Sequence, residues 1–240
     1  MKCGMLGSPN IMKKLHRFLL KEIPGDNSIS ITDTETVHLM SHVLKLNTDE
    51  VCILFADGSD DYVCKITEIT KKSILLNVES KNKKQVTPKN VTACISIIKR
   101  DNFELVVQKL TELGIQKIVP IISDRTIKQS LRLDRLQKIS DEALEQSCGS
   151  DRVKIAEPLP LKETLEMFKD REQYYFDIEG GPYKKTEVSD LVFYIGPEGG
   201  WSDNDQETFR HYNAKKYKLG STVLRAETAA IVAAYTLIWY

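Results

Sequence analysis

Short runs of branched and aromatic residues, separated by turns, fill the first third of the chain. They predict five strands, at residues 16–20, 28–31, 51–56, 61–69 and 73–79. One helix is predicted over 34–44, and Asp33 is a suitable N-cap for it. Short strands with a single intervening helix are typical of a small β-barrel, which we predict over residues 12–80. Residues 1–11 show no periodic pattern, and Met12 is an alternative start.

The pattern changes after a polar, basic segment at 80–90, which contains a proline and is interpreted as a domain junction. Beyond it, strands and helices alternate. The predicted strands are 92–98, 116–122, 173–178, 191–195 and 215–219, and the predicted helices are 101–113, 133–148, 161–168, 202–212 and 225–240. Such alternation indicates an α/β domain over 90–240, with a mostly parallel sheet covered by helices on both faces.

Composition narrows the possible classes of protein. The 240 residues have a formal net charge of zero, and no apolar run approaches the roughly 20 residues that span a bilayer. We therefore expect no membrane partner. The five cysteines are scattered without a CxxC pair, which argues against a disulfide framework or a zinc site and predicts a cytoplasmic protein. His38 and His42 are four residues apart, but no third ligand accompanies them, so no metal is predicted.

Two glycine turns near the C-terminus are the most informative motifs. Each follows a strand-like run, in IGPEGGW (195–201) and in LGSTVLR (219–225). Glycine has no Cβ and lets a ligand approach the backbone closely, and ligands of open α/β sheets bind beyond the carboxyl ends of the strands. GPEGG is neither a Walker motif nor GxGxxG, so a phosphate cradle and a plain tight turn both remain open.

Three charged residues accompany these turns. Glu198 lies within the first turn, where it either faces a cationic ligand or is simply exposed. Glu227, near the start of the last predicted helix, is favourable to the helix dipole, which favours a structural role. Arg225 at the same helix start opposes the dipole, which favours a contact with something outside the helix.

Together these residues resemble a known family. IGPEGGWSDND (195–205) followed by LGSTVLRAETAA (219–230) is similar to the signature of the ribosomal RNA small subunit methyltransferase E family, within the SPOUT superfamily. Further blocks resemble the rest of that family, at 15–20, 38–58, 103–126 and 141–147. Lys45 and Trp201 depart from its usual arginine and phenylalanine. The resemblance covers nearly the whole chain.

The resemblance implies both a fold and an activity. The fold would be a PUA-like RNA-binding barrel over 12–80 and a SPOUT α/β domain with a deep trefoil knot over 90–240. The activity would be methyl transfer from S-adenosylmethionine, a cosubstrate, to N3 of a uridine in 16S rRNA, free or within the small ribosomal subunit. The protein would be a homodimer. General topology rules treat knots as nearly absent, so the element pattern alone predicts an ordinary doubly wound sheet.

Site residues follow from the matched motifs. The backbone of Gly196, Gly199 and Gly200 would approach the adenosine and methionine parts of the methyl donor. Leu219, Gly220 and Leu224 would wall the adenine, and Ile195 belongs to the same predicted set. Arg225 would stabilise the developing uracil anion or position a phosphate, and Glu198 is the predicted general base.

Phosphate contacts, which are independent of sequence and sensitive to salt, are predicted for basic residues of the first domain. These are Lys13, Lys14, Arg17, Lys45, Lys71 and Lys72. Two alternatives to the uridine N3 activity stay open. One is a SPOUT enzyme that modifies a ribose 2′-hydroxyl or another base, and the other is an RNA-binding module without catalysis.

Overall fold

The chain forms two compact units. The computed structural model describes residues 15–23, 27–84, 86–127 and 129–240. The first unit contains the described residues up to Val86 together with Leu144–Asp151, and the second contains Thr87–Ala143 and Arg152–Tyr240. Residues 144–151 were predicted to lie in the second domain, 90–240, whereas they belong to the first unit.

A five-stranded sheet forms the first unit. Its strands are β1 (Arg17–Leu20), β2 (Ser28–Ile31), β3 (Val51–Ala56), β4 (Asp61–Ile69) and β5 (Ile74–Asn82). Their order is β1-β3-β4-β5-β2, in which only the β1–β3 pair is parallel. The five predicted strands are confirmed.

The predicted helix of this unit is divided. α1 (Thr34–His38) continues into a π-helical turn at Leu39–Val43. Asp33 caps α1 as predicted, because its Oδ2 accepts a hydrogen bond from the Thr36 amide at 2.9 Å. This hydrogen bond is the main reason why the pKa of Asp33 is lowered. Met40, within the π-helical turn, is fully buried in the core of the unit.

Arg17 organises the interior of the first unit. Its guanidinium donates to Asp61 Oδ1 at 2.6 Å and to the carbonyls of Leu144 and Gly149 at 3.3 and 3.0 Å. The same group lies 4.0 Å from the centre of the Phe55 ring. With its side chain only 2% exposed, Arg17 has no surface to offer a phosphate. Its prediction as an RNA contact is therefore corrected: Arg17 joins the sheet to segment 144–151.

The second unit is built on a seven-stranded sheet in which every pairing is parallel. Its strands are β6 (Asn90–Ser96), β7 (Lys117–Ile122), β8 (Lys154–Ile155), β9 (Leu159–Pro160), β10 (Glu172–Pro182), β11 (Asp190–Ile195) and β12 (Lys215–Lys218). The order is β12-β10-β11-β6-β7-β8, and β9 also pairs with β7. The two-residue strands β8 and β9 were not predicted.

Within the described residues, five helices accompany this sheet. They are α2 (Arg100–Leu113), α3 (Leu133–Ser147), α4 (Leu161–Met167), α5 (Asp203–His211) and α6 (Ala226–Trp239). α2 ends at Gly114 as predicted, because Gly114 adopts a left-handed φ of 88°. Ser202 caps α5: its hydroxyl accepts from the Asp205 amide, and the Asp205 carboxylate accepts from the Ser202 amide.

Alternate strand residues face two different helical layers. Val91, Ala93 and Ile95 of β6 belong to a core that includes apolar residues of α2 and α6. Cys94, between them, belongs to a second core with Leu165 of α4 and Phe209. Because side chains of a strand alternate between the faces of the sheet, the parallel sheet lies between two helical layers. The predicted α/β class with helices on both faces is confirmed.

Candidate active site

The GPEGG segment is a rigid turn that directly follows β11. The Gly200 amide donates to the Pro197 carbonyl at 2.9 Å, and Gly200 has a φ of 68°, which side chains rarely adopt. Arg125 Nη1 donates to the Gly199 carbonyl at 2.8 Å and ties the turn to the segment after β7. Three constraints, together with the proline ring, thus fix the path of residues 196–200.

Trp201 supports this turn from behind. Its ring is buried, and its Nε1 donates to the carbonyl of Phe176 at 3.0 Å. A Cβ on Gly196 would lie 3.0 Å from the Trp201 ring, so the close packing of this ring favours glycine at position 196. The first turn therefore owes its position to the buried aromatic residues beneath it.

The second turn follows β12 and leads into α6. Leu219 is partly buried and packs against the core that contains residues of α2 and α6. Gly220 is exposed, and a Cβ built on it meets no atom within 4 Å. Arg225 is the N-cap residue of α6, but its side chain makes no capping hydrogen bond. Its guanidinium is exposed and remains available to a ligand.

One cleft of about 790 Å³ lies between the two turns within the second unit. All nine residues predicted for the methyl donor and for catalysis line it: Ile195, Gly196, Glu198, Gly199, Gly200, Leu219, Gly220, Leu224 and Arg225. The structure brings together two segments that are separated by 18 residues of sequence, from Gly200 to Leu219. A single small molecule can contact both turns at once.

Other lining residues were not predicted. They include Lys99, Asn102, Arg125, Phe176, Asp177, Ile178, Trp201, Lys218, Val223 and Glu227. Lys99 follows β6 and Arg125 follows β7, so both lie beyond the carboxyl ends of parallel strands. Ligands of α/β sheets bind at that edge, and extending the rule to every strand would have found these two cations.

The charges around the cleft have both signs. Lys99, Arg125, Lys218 and Arg225 contribute positive charge, and Asp177, Glu198 and Glu227 contribute negative charge. Next to the first turn, Asp124 accepts hydrogen bonds from Ser202 and Asn204, which lower the pKa of Asp124. The cleft is therefore suited to a ligand that carries charges of both signs.

Of the predicted RNA contacts, three lie on the surface of the first unit. Lys45, Lys71 and Lys72 are exposed, the last two in the turn between β4 and β5. Lys13 and Lys14 lie outside the described residues. The three exposed lysines remain predictions as phosphate contacts.

Comparison with known proteins identifies the family. A model of the RNA methyltransferase domain matches residues 85–238. A ribosomal RNA small subunit methyltransferase E of Rickettsia conorii is 30% identical over 228 residues, which cover 92% of this chain and 93% of the relative. The chain belongs to the ribosomal RNA small subunit methyltransferase E family. A relative of the same name from Aquifex aeolicus is 26% identical over 227 residues, or 90% of this chain and 96% of the relative.

A solved structure agrees with this family. The crystal structure of a ribosomal RNA small subunit methyltransferase E from Neisseria gonorrhoeae, bound to S-adenosyl methionine, superimposes with a TM-score of 0.85 and 26% identity. The match covers 92% of this chain and 95% of that one. The family predicted from the two glycine motifs is confirmed.

Proposed function

We propose that the protein transfers a methyl group from S-adenosylmethionine to N3 of a uridine in 16S rRNA. The observation that carries this proposal is the cleft: in a member of this methyltransferase family, all nine predicted site residues surround one cavity. The cavity lies at the carboxyl edge of a parallel sheet, where such folds bind nucleosides. The two glycine turns supply its exposed backbone.

The residues present fit the methyl donor. Open space beside Gly200 and Gly220 leaves room for a ligand against the chain. Leu219 and Leu224 offer apolar surface for a base, and the Asp177 carboxylate suits the ammonium or sulfonium charge of the donor. When bound, S-adenosylmethionine supplies a methyl carbon on a sulfonium sulfur. A nucleophile attacks this carbon in line with the carbon–sulfur bond, and the sulfur leaves.

The chain's own residues must prepare the uracil. N3 carries a proton and becomes a good nucleophile only when that proton leaves, so the site needs a base and a group that stabilises the resulting anion. Arg225 is our candidate for the second role. It lines the cleft, is exposed, and makes no side-chain hydrogen bond to cap α6. Glu198, predicted as the base, lines the same cleft and is exposed.

RNA binding is assigned to the first unit. We propose that it is a PUA-like barrel, which the five-stranded sheet and its strand order support, and that Lys45, Lys71 and Lys72 contact phosphates from it. The target base must expose its Watson–Crick edge, so it has to be single-stranded or flipped out. The substrate is 16S rRNA, free or within the small subunit.

Three further features belong to the same proposal. We infer that the second unit contains a trefoil knot, which is supported by the placement of β11 between β10 and β6 and by the return of α6 onto β6 and β11. We infer a homodimer, supported by exposed large side chains on and around α6: Val223, Tyr235, Trp239 and Tyr240. Within the described residues, no helix has the length and apolar character to cross a bilayer, and we propose a cytoplasmic protein.

Mapping the modified nucleoside tests the proposed function. Nuclease-digested 16S rRNA from a strain that lacks the gene is expected to lose 3-methyluridine at one site, and the wild-type gene should restore it. Mass spectrometry of the digests provides the measurement. Loss of a 2′-O-methylated nucleoside would support the alternative SPOUT activity, and no change at all would support a binding module.

Adding a side chain in the cleft should weaken binding of the methyl donor. A Gly220→Val variant can accommodate the new side chain without a clash, but the side chain takes space that the ligand needs. We therefore expect the affinity for S-adenosylmethionine to fall about tenfold or more, or at least 1.4 kcal/mol. Calorimetric titration measures this affinity. Gly181→Val is the matched control, because its Cβ also meets nothing within 4 Å but lies outside the cleft. Equal affinities in the two variants would contradict the assignment.

A further inference from the structure

Glu227 has an unusual position for a carboxylate. It lies in the first turn of α6, lines the cleft, and is only 9% exposed. Its Oε2 atom is buried and has no hydrogen-bond partner within the described part of the chain. A buried carboxylate oxygen without a partner is costly, so a hydrogen-bond donor from a bound molecule is expected to meet it.

The other carboxylates of the cleft differ from Glu227. Asp177 Oδ1 accepts from the Glu179 amide at 2.8 Å and lies 3.8 Å from Lys216 Nζ. Glu198 is exposed to water within the GPEGG turn. A base that acts on the uracil needs an oxygen atom that no group of the protein already occupies, and exclusion of water from the site favours the proton transfer. Glu227 alone among these three carboxylates meets both conditions.

The geometry points to Glu227, rather than Glu198, as the group that accepts the N3 proton of the target uridine. This inference rests on the proposed function. The N3 proton moves to Oε2 of Glu227, the N3 electron pair forms the new bond to the methyl carbon, and the carbon–sulfur bond breaks with its electron pair on sulfur. Glu227 later releases the proton to water.

The charges around Glu227 suit this role. The cleft also contains Lys99, Arg125, Asp177, Glu198, Lys218 and Arg225. Arg225 lies two residues before Glu227, at the start of the same helix. A cation beside the base can stabilise the negative charge that develops on the uracil as its proton leaves.

Single-turnover methylation with Glu227→Gln tests the inference. We expect the rate to fall about 100- to 10,000-fold, while calorimetry shows an affinity for S-adenosylmethionine within about threefold of wild type. A transcript that contains 5-fluorouridine should reduce the loss about tenfold or more, because fluorine makes the N3 proton more acidic. The variant's rate should also rise continuously with pH, since hydroxide then removes the proton.

Two further variants complete the experiment. Glu198→Gln tests the competing assignment, in which the exposed carboxylate is the base, and its rate should show no rescue by fluorine. Glu227→Asp keeps a carboxylate and should be faster than the glutamine variant; it also serves if that variant does not fold. A Glu227→Gln enzyme at the wild-type rate, a more than tenfold weaker affinity for the methyl donor, or no effect of fluorine would overturn the inference. Failure of the wild type to form 3-methyluridine would instead overturn the proposed function.

Discussion

Replacing Arg225 by alanine is expected to lower the turnover number about 100- to 1,000-fold, since removal of one pre-positioned donor to a developing oxyanion has this effect in enzymes. The affinity for S-adenosylmethionine should change little. Folding should also be retained, because the guanidinium is exposed and makes no capping hydrogen bond. Steady-state methylation of an rRNA fragment over a range of RNA concentrations measures this effect.

Arg225→Lys is the matched control for charge. Lysine keeps the positive charge but not the planar fork of donors, so we expect an intermediate rate. A turnover number that stays at the wild-type value, with only the KM for RNA increased, would assign Arg225 to phosphate positioning. Full methylation by the alanine variant would exclude both roles.

Replacing Phe209 by alanine should destabilise the second unit by about 3–5 kcal/mol, the usual cost of truncating a buried aromatic residue. Phe209 is fully buried and stacks on Tyr175 with ring centroids 4.1 Å apart. The rings of Phe209 and Trp201 are nearly perpendicular, and their centroids are 4.8 Å apart. Since Trp201 supports Gly196, the affinity for the methyl donor should fall as well. Denaturant titration, monitored by tryptophan fluorescence, measures the stability. Calorimetric titration measures the affinity for the methyl donor.

Glu207→Ala on the same helix is the control, because Glu207 is exposed and a surface change of this kind is worth about 0.5 kcal/mol or less. An equally large loss in both variants would show that α5 itself, rather than aromatic packing, limits stability. A Phe209→Ala protein with unchanged stability would contradict the packing described for this core.

The elements of both units could be predicted because their signals are local. Asp33, Gly114 and Ser202 each act within three or four residues of the helix end that they define. The strands of the second unit are apolar runs bounded by polar residues. The two-residue strands β8 and β9 carry no periodicity of their own and exist only through pairing with β7, so no local pattern predicts them.

Only those parts of the site that are continuous in sequence were predicted. The glycine turns were recognised because each turn is continuous in sequence. Arg125 was missed, since it reaches Gly199 from a position 74 residues earlier. Arg17 was misassigned as an RNA contact, because nothing in its local sequence indicates that Asp61 and residues 144–149 would enclose it. Charge along a sequence does not distinguish a buried arginine from an exposed one.

By itself, the sequence determined most strands and helices, the positions of the two glycine turns and the family, because these depend on residues that are neighbours along the chain. Only the tertiary structure decided which turns meet across one cleft and which carboxylate in it is shielded from water. The physical reason is that burial and hydrogen-bond pairing are set by contacts between distant segments. Glu198 and Glu227 are the same residue type, and the fold alone leaves one in solvent and the other buried without a partner.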